Sequence, residues 1–338
     1  MKTFVIKSKN SDVFQNLALE FSMFKQIERN FRDKRESACM LFLWKNDNTI
    51  VLGRNQNVYS ECNLKFCHEN DILISRRFTG GGAVFHDIGN LNFSFISSSD
   101  IHNLTENYKI IQNSLFDFGI SSELSGRNDL TVEGKKFSGS AFYNSKYASL
   151  HHGTLLINTK PDLISQALTP DINKLKSKGV DSVRSRVINL IELNNKITSD
   201  SLSDSIISEF LNFFKTENAN YFPEFSQEDF EKNIKILTSS EWIFNEKFDA
   251  DIEISDRFDW GNIVINICLS GNFISDIDIY SDTLYFDIPV LLKKSLLHQT
   301  LNSGNIKSIF KNLMNKTTTA KKNKVYIDIC SMFDEVEI

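Results

Sequence analysis

The chain has 338 residues but only 14 glycines, and three of them stand together as Gly80-Gly81-Gly82. Glycine accepts positive φ and carries no side chain, so this run is bare backbone that another group can approach closely. Strand-like stretches lie on either side of it. Residues 71–78 precede it, and Leu91-Asn92-Phe93-Ser94-Phe95 follows with clean alternation, so one face packs and the other can stay polar. Arg76 and Arg77 come just before the glycines. Inward-pointing amides make an anion-binding concavity, and arginine adds fixed charge and forked donors for phosphate. In an extended strand the two arginines point to opposite sides, so one of them faces the loop's ligand. These residues alone equally allow a flexible hairpin with two solvated arginines.

Length favours two domains, and 41% apolar against 24% charged residues suffices for a sizeable buried core. With 38 basic and 43 acidic residues the net charge is −5, which argues against nucleic-acid binding, where excess Lys and Arg must replace counterions. No apolar run approaches the roughly 18 residues of a membrane span, and the first residues lack the apolar segment of a signal peptide. The five cysteines are odd in number without CxxC spacing, the pattern of reduced thiols in a cytoplasmic protein. A polar, charged stretch at 245–251 is the best linker and divides residues 1–247 from 248–338.

Helical spacing of Val13, Phe14, Leu17, Ala18, Phe21 and Phe24 predicts a helix over 12–27, capped by Asp12 with Gln15 completing a capping box. Strands are expected at 40–44 and 49–53 around an Asn46-Asp47-Asn48 turn, at 151–158, at 262–268 and at 273–280. Helices are expected at 104–118, closed by Gly119, at 201–216, and from beyond 280 to about 315.

Two further stretches can carry chemistry. Residues 130–138 form a hairpin if Glu133-Gly134 is its two-residue turn. Thr131 then pairs with Lys136, Leu130 with Phe137 and Asp129 with Ser138. Asp129 and Lys136 become diagonal neighbours about 7–8 Å apart, able to address one anion together, Asp129 through a metal ion. An ordinary surface charge pair is the alternative. Residues 174–186 hold five basic side chains around Gly179, either a solvated helix end or a basic flap that closes over phosphate. His151-His152 is a poor metal pair, because neighbours on a strand face opposite ways and no Cys or His cluster accompanies them. No P-loop, Rossmann or GxSxG motif is present.

Taken together, RRFTGGGAVFHDIGN (76–90), GRNDL (126–130), KKFSGSA (135–141), HHGTLLIN (151–158) and SKGVDSVRSRVINL (177–190) strongly resemble the lipoate–protein ligases. The resemblance is to the long form with a C-terminal accessory domain, and it extends more weakly to 257–261 and 280–284. It implies an α+β fold: a biotin/lipoate ligase-like catalytic domain with mixed, largely antiparallel sheets and flanking helices, followed by a small α+β accessory domain. It implies ATP-dependent conversion of lipoate to lipoyl-AMP, assisted by Mg²⁺. The lipoyl group then passes to a lysine of apo lipoyl domains, in the E2 subunits of 2-oxoacid dehydrogenase complexes and the glycine cleavage H protein. By the same resemblance Lys136 is the central lysine, in contact with the lipoyl carbonyl and the phosphate. Arg77, Gly80, Gly81, Gly82, Ala83, Val84, Phe85 and His86 hold nucleotide and acyl chain, together with Gly153 and Thr154. Asp129 is the contact for phosphate-borne Mg²⁺, and Lys178, Gly179 and Arg184 belong to an adenylate-binding loop.

Rival readings are a lipoyl or octanoyl transferase that uses a preformed acyl donor without ATP, a biotin ligase, and a carrier-domain binding protein without turnover. A thioester route needs a cysteine nucleophile, yet none lies between Cys67 and Cys268, where all the site motifs are. The phosphate loop of biotin ligases, of the GRGRxGR type, is replaced here by RRFTGGG.

Overall fold

The structure, a computed structural model, describes residues 1–168, 187–216, 219, 225–244, 248–317 and 319–335. The chain forms two compact units. One comprises Met1–Leu52, Val58–Phe78 and Ala83–Ile243, and the other Gly53–Asn57, Thr79–Gly82 and Phe244–Ile338.

In the larger unit the order is β1 (Lys2–Lys7), α1 (Val13–Lys34), β2 (Ala38–Trp44), β3 (Thr49–Leu52), α2 (Val58–Glu61), α3 (Leu64–Glu69), β4 (Leu73–Arg76), β5 (Val84–His86) and β6 (Asn90–Ser98). Next come α4 (Leu104–Phe116), β7 (Glu123–Ser125), β8 (Asp129–Val132), β9 (Lys135–Asn144), β10 (Ala148–Leu156) and α5 (Pro161–Ala167). The unit closes with α6 (Leu190–Leu193), α7 (Ser199–Phe213), α8 (Gln227–Leu237) and α9 (Ser240–Phe244), whose last residue is the first of the other unit's C-terminal stretch. A seven-stranded sheet has the order β1-β2-β6-β10-β9-β8-β7, and a three-stranded one the order β4-β3-β5. Only the β1–β2 and β3–β4 pairs are parallel, so the expected mixed, largely antiparallel sheets with flanking helices are present.

Helix α1 starts where Asp12 accepts from the Gln15 N–H. The expected capping box is only half made, because Asn10 takes both other groups: the Asp12 N–H donates to Asn10 Oδ1 and Gln15 Oε1 accepts from Asn10 Nδ2. The helix also runs past 27, since Phe31 continues the buried spacing of Phe24 and Ile27, and it stops at Arg35 in a left-handed conformation (φ 56°). The stretches at 40–44 and 49–53 are both strands but not a hairpin. β2 lies in the large sheet and β3 in the small one.

Both faces of the large sheet are covered. Phe93, Phe95, Leu41 and Leu155 pack on one side against α4 and α7 through Ile111, Leu115, Ile206 and Phe210. Met40, Phe42, Ile96 and Leu150 pack on the other against Leu17, Phe21 and Phe24 of α1 and against Phe78. The alternation of β6 keeps one polar side as expected, and all nine of its residues are buried. That side faces α1, where Ser94 is hydrogen-bonded to Glu20 and Trp44, while Asn92 Nδ2 has no partner among the described residues.

The hairpin turn is where the dipeptide places it, with Glu133 at φ 51° and Gly134 at φ 76°, the double positive φ of a type I′ turn. Its register needs correction. Thr131 pairs with Lys136 as expected, but the register then shifts by one, so Leu130 lies opposite Ser138 and Asp129 opposite Gly139. Phe137 is the extra residue of this bulge, and both it and Leu130 still reach the core.

The smaller unit contains the antiparallel meander of β11 (Ile252–Phe258), β12 (Gly261–Ser270) and β13 (Phe273–Ser281). Helices α10 (Asp287–Leu296), α11 (Ser303–Asn315) and α12 (Ala320–Met332) share a core with it, built from Ile263, Ile265, Ile267, Ile277, Leu292, Phe310 and Ile329. β11 and α12 were not evident from the sequence.

His151 on β10 is fully buried among the rings of Phe93, Phe95, Phe142 and Tyr108, with centroids 4.8–6.0 Å away. Burial holds its pKa well below the ordinary imidazole range. The unfolded chain takes up a proton here below about pH 6.5 while the folded chain stays neutral, so this stability is complete above that pH and lost on acidification. Urea titrations between pH 7 and 5 should show unfolding free energy falling with pH. In His151→Phe the slope should be shallower by about 1.4 kcal/mol per pH unit.

Candidate active site

The polar side of β6 begins the site. Residues opposite one another in register share a face, which places Trp44 of β2, Asn92 of β6 and Thr154 of β10 in one row. Phe42, Ser94 and His152 make the next. The Gly139 N–H donates to Thr154 Oγ1 at 3.3 Å, which carries the first row on into β9. Adjacent strands are about 4.8 Å apart, so the row spans about 14 Å from β2 to β9.

One buried group supports this strip from the side of α1. Glu20 accepts from His152 Nδ1 at 2.9 Å and from Ser94 Oγ, and Ser94 Oγ accepts from Trp44 Nε1 at 2.9 Å. Glu20 sits one turn from Leu17 and Phe24 on the buried side of the helix. A carboxylate in the apolar register was the available sequence signal for it, and it was missed, as were Trp44, Ser94 and Asn92.

At the β9 end lies Lys136. Its Nζ is 2.8 Å from Asp129 Oδ1, with the two side chains 40% and 34% exposed. The side chains of the two residues meet directly, although the bulge sets Asp129 opposite Gly139 and not opposite Ser138 as expected. The lysine lies across that glycine: a Cβ there would come within 2.8 Å of Nζ and 2.9 Å of Cε. Its backbone is pinned on the far side too, where Lys136 O accepts from the Ile188 N–H at 3.0 Å. The ammonium thus stays at a fixed place while remaining accessible. Gly139 was quoted only within its motif, with no role assigned to it.

His86 lies beside Trp44, ring centroids 6.1 Å apart and nearly perpendicular. Burial first, then the positive charge of Arg77 and the neighbouring His152, push its pKa down to about 3, so the ring is neutral. Arg77 is buried too and donates from Nη1 to the Val51 carbonyl at 3.0 Å. Burial lowers its pKa to about 10, which leaves it cationic at neutral pH, with Glu20 acting in the opposite sense. Arg76 points elsewhere, as the strand requires, and its Nε and Nη2 donate to the Ile243 carbonyl at 3.2 and 2.7 Å. Neither arginine is the solvated side chain of the alternative reading.

Among the other expected residues, Val84 packs with the α1-side core, whereas Phe85 is buried on the opposite side of its strand. Gly153 also faces away from the strip, where a Cβ would meet the Phe93 ring at 2.6 Å and Ser140 Oγ at 2.9 Å. Ala83 is partly buried. Gly80, Gly81 and Gly82 belong to the smaller unit. There Gly81 (φ 88°) donates from its N–H to the Thr283 carbonyl at 3.0 Å, a Cβ on Gly80 would collide with that same oxygen, and Gly82 is open. Lys178, Gly179 and Arg184 lie outside the described residues.

Removing the Glu20 carboxylate leaves two buried donors unpaired, at about 1–3 kcal/mol each. Glu20→Ala should therefore lower the urea midpoint strongly, and Glu20→Gln, which keeps one acceptor oxygen, should lower it less.

Residues 12–211 match the family model of the lipoyl protein ligase A/B catalytic domain, and residues 247–329 that of the bacterial lipoate protein ligase C-terminus. The chain is 35% identical over 345 residues to lipoate-protein ligase A of Psychrobacter cryohalolentis, covering 99% of this chain and 97% of that one. The crystal structure of LipL1 from P. falciparum in complex with lipoate is similar at 32% identity and a TM-score of 0.84, over 98% of this chain and 100% of that one. A lipoate-protein ligase A bound with ATP shares the fold at 24% identity and a TM-score of 0.58, over 72% and 98%. A strip of buried polar groups ending in a half-exposed lysine, on a fold and sequence shared over nearly the full length, places this chain in the lipoate–protein ligase family.

Proposed function

We propose that this protein activates lipoate with ATP, giving lipoyl-AMP and pyrophosphate, and then transfers the lipoyl group to the acceptor lysine of apo lipoyl domains. The acceptors are the E2 subunits of 2-oxoacid dehydrogenase complexes and the glycine cleavage H protein, and the compartment is the cytoplasm. The five cysteines are unpaired, which fits a reducing compartment. Among the described residues no helix is long and apolar enough to cross a membrane.

A free carboxylate is a poor acyl donor because oxide leaves badly, and adenylation replaces oxide with AMP. The reaction brings two anions together, so charge must be stabilised where it accumulates. The observation that carries the proposal is the Lys136 ammonium, held over Gly139 beside Asp129 at the end of a strip long enough for an extended acyl chain. A lysine about 4 Å from a phosphate oxygen, at an effective dielectric near 20, contributes about 4 kcal/mol. Felt mainly in the transition state, that is roughly a thousandfold in rate. Arg77 and the glycine loop serve the nucleotide in this reading, and Lys178, Gly179 and Arg184 close over the adenylate and exclude water.

Mg²⁺ usually keeps several waters and takes one or two carboxylates together with substrate phosphates. Asp129, a half-exposed carboxylate at the site, fits that pattern, and among the described residues no group of three His, Cys, Asp or Glu forms a protein cage. The ion when bound neutralises phosphate charge. Burial pushes the thiols of Cys39 and Cys62 up to about 12, which suits neither for an acyl-cysteine route.

Incubation with lipoate, ATP, Mg²⁺ and an apo lipoyl domain, each omitted in turn and read by intact mass, tests the function. Transfer without ATP would instead assign an acyltransferase. Lys136→Ala should slow pyrophosphate release roughly a thousandfold with an unchanged melting temperature. Gly139→Ala should slow it roughly tenfold through displacement of the lysine, and should add little in the Lys136→Ala background. Wild-type pyrophosphate release from Lys136→Ala would defeat the site assignment.

A further inference from the structure

Asn16, Asn46 and His86 form a buried chain whose hydrogen-bond polarity is set by the backbone. Asn16 Nδ2 donates to the Lys45 carbonyl at 2.9 Å, and a carbonyl can only accept, so the orientation of this amide is determined. Ser8 Oγ donates to Asn16 Oδ1 at 2.6 Å, in agreement with it. The second Asn16 Nδ2 hydrogen lies between Asn46 Oδ1 at 3.1 Å and the Asn10 carbonyl at 3.3 Å. An amide nitrogen of Asn46 turned toward it would set two donors face to face, so Asn46 Oδ1 faces Asn16 and its Nδ2 faces His86 Nδ1 at 3.0 Å. That amide nitrogen only donates, so His86 Nδ1 must accept and the ring proton sits on Nε2. Asn16 and Asn46 are fully buried and His86 nearly so, and His86 Nε2 has no partner among the described residues.

We infer that Asn46 is a positioning residue that locks His86 as a neutral Nε2–H donor for the ring-sulfur end of the acyl substrate, and so sets the preference for lipoate over a straight-chain acid. This rests on the function proposed above and deepens it. Trp44, next to His86, lies in the row that ends at Gly139 beneath Lys136, about 14 Å away at normal strand spacing. An eight-carbon acid whose carboxylate meets Lys136 then brings its far end to His86. A carboxylate there would seek charge, but the low pKa of His86 keeps the ring uncharged, which suits a soft, uncharged acceptor. A buried donor left unmatched by a straight chain discriminates against it.

The test starts with long-range nitrogen–proton NMR of the histidine-labelled full chain, with the His86 signal identified by its loss in His86→Gln. Wild type is expected to show the Nε2–H tautomer between pH 6 and 8. Asn46→Asp, whose carboxylate accepts from Nδ1–H, should move the proton to Nδ1. If that variant does not fold, Asn46→Ala should show both tautomers mixed, and an unmixed Nε2–H signal there overturns the relay. In pyrophosphate-release assays His86→Phe should raise the lipoate KM about fivefold more than it raises the octanoate KM. His86→Gln, whose amide keeps a donor near the Nε2 position, should restore most of the preference. A wild-type Nδ1–H tautomer, or an unchanged lipoate-to-octanoate ratio in His86→Phe, overturns the inference. A wild type inactive with lipoate and ATP overturns the function above and with it the ligand named here, whereas an active wild type with the wrong tautomer overturns this inference alone.

Discussion

The large sheet of this protein is covered on both faces, and one of those faces carries polar side chains. Water is therefore not available to satisfy them, and each buried donor or acceptor left alone costs about 1–3 kcal/mol. The structure meets this constraint with Glu20, drawn from the middle of an otherwise apolar helix face, which accepts hydrogen bonds from His152 and Ser94. Once Glu20 is committed in this way, Trp44 is oriented through Ser94, and its ring stands nearly perpendicular to that of His86. A row of polar groups on a rigid sheet is thereby held in place by packing on one side and by hydrogen bonds on the other. Sites on sheets are positioned more tightly than sites on loops, and this strip has that advantage along most of its length.

The two ends of the strip differ in charge and exposure for structural reasons. At β9 a one-residue bulge brings Asp129 opposite a glycine, and the lysine takes the space that a side chain would have filled. Its ammonium keeps a carboxylate partner and also keeps solvent, so no large desolvation cost is incurred there. Near Trp44 the imidazole of His86 is enclosed, lies near the positive Arg77, and accepts a hydrogen bond from the Asn46 amide. That end is neutral. An amphipathic acid with a carboxylate at one end and an uncharged ring at the other matches such a gradient.

Much of this organisation is legible from residues alone, because it is local. The Glu133-Gly134 turn demands two positive φ values, and it has them. The core spacing of α1 continues through Phe31, so its length was understated by the stop at 27 but its face was right. Opposite facing of His151 and His152 follows from strand geometry, and the two end in different surroundings, one among aromatic rings and the other on Glu20. What fails is whatever depends on a second element. The bulge that sets Asp129 opposite Gly139 is a property of two strands in register, and the split of β2 and β3 between two sheets reflects pairing partners far along the chain.

The amino-acid order by itself determined the family, the α+β class and the hairpin turn, because these rest on spacing and on the chemistry of single residues. The tertiary structure alone decided which polar residues share a buried face, which glycine makes room for Lys136, and which nitrogen of His86 holds the proton. Those outcomes depend on distances between groups from α1, β2, β5, β6, β9 and β10. No local preference encodes such distances, since a hydrogen bond's direction is settled only when both partners and their own partners are in place.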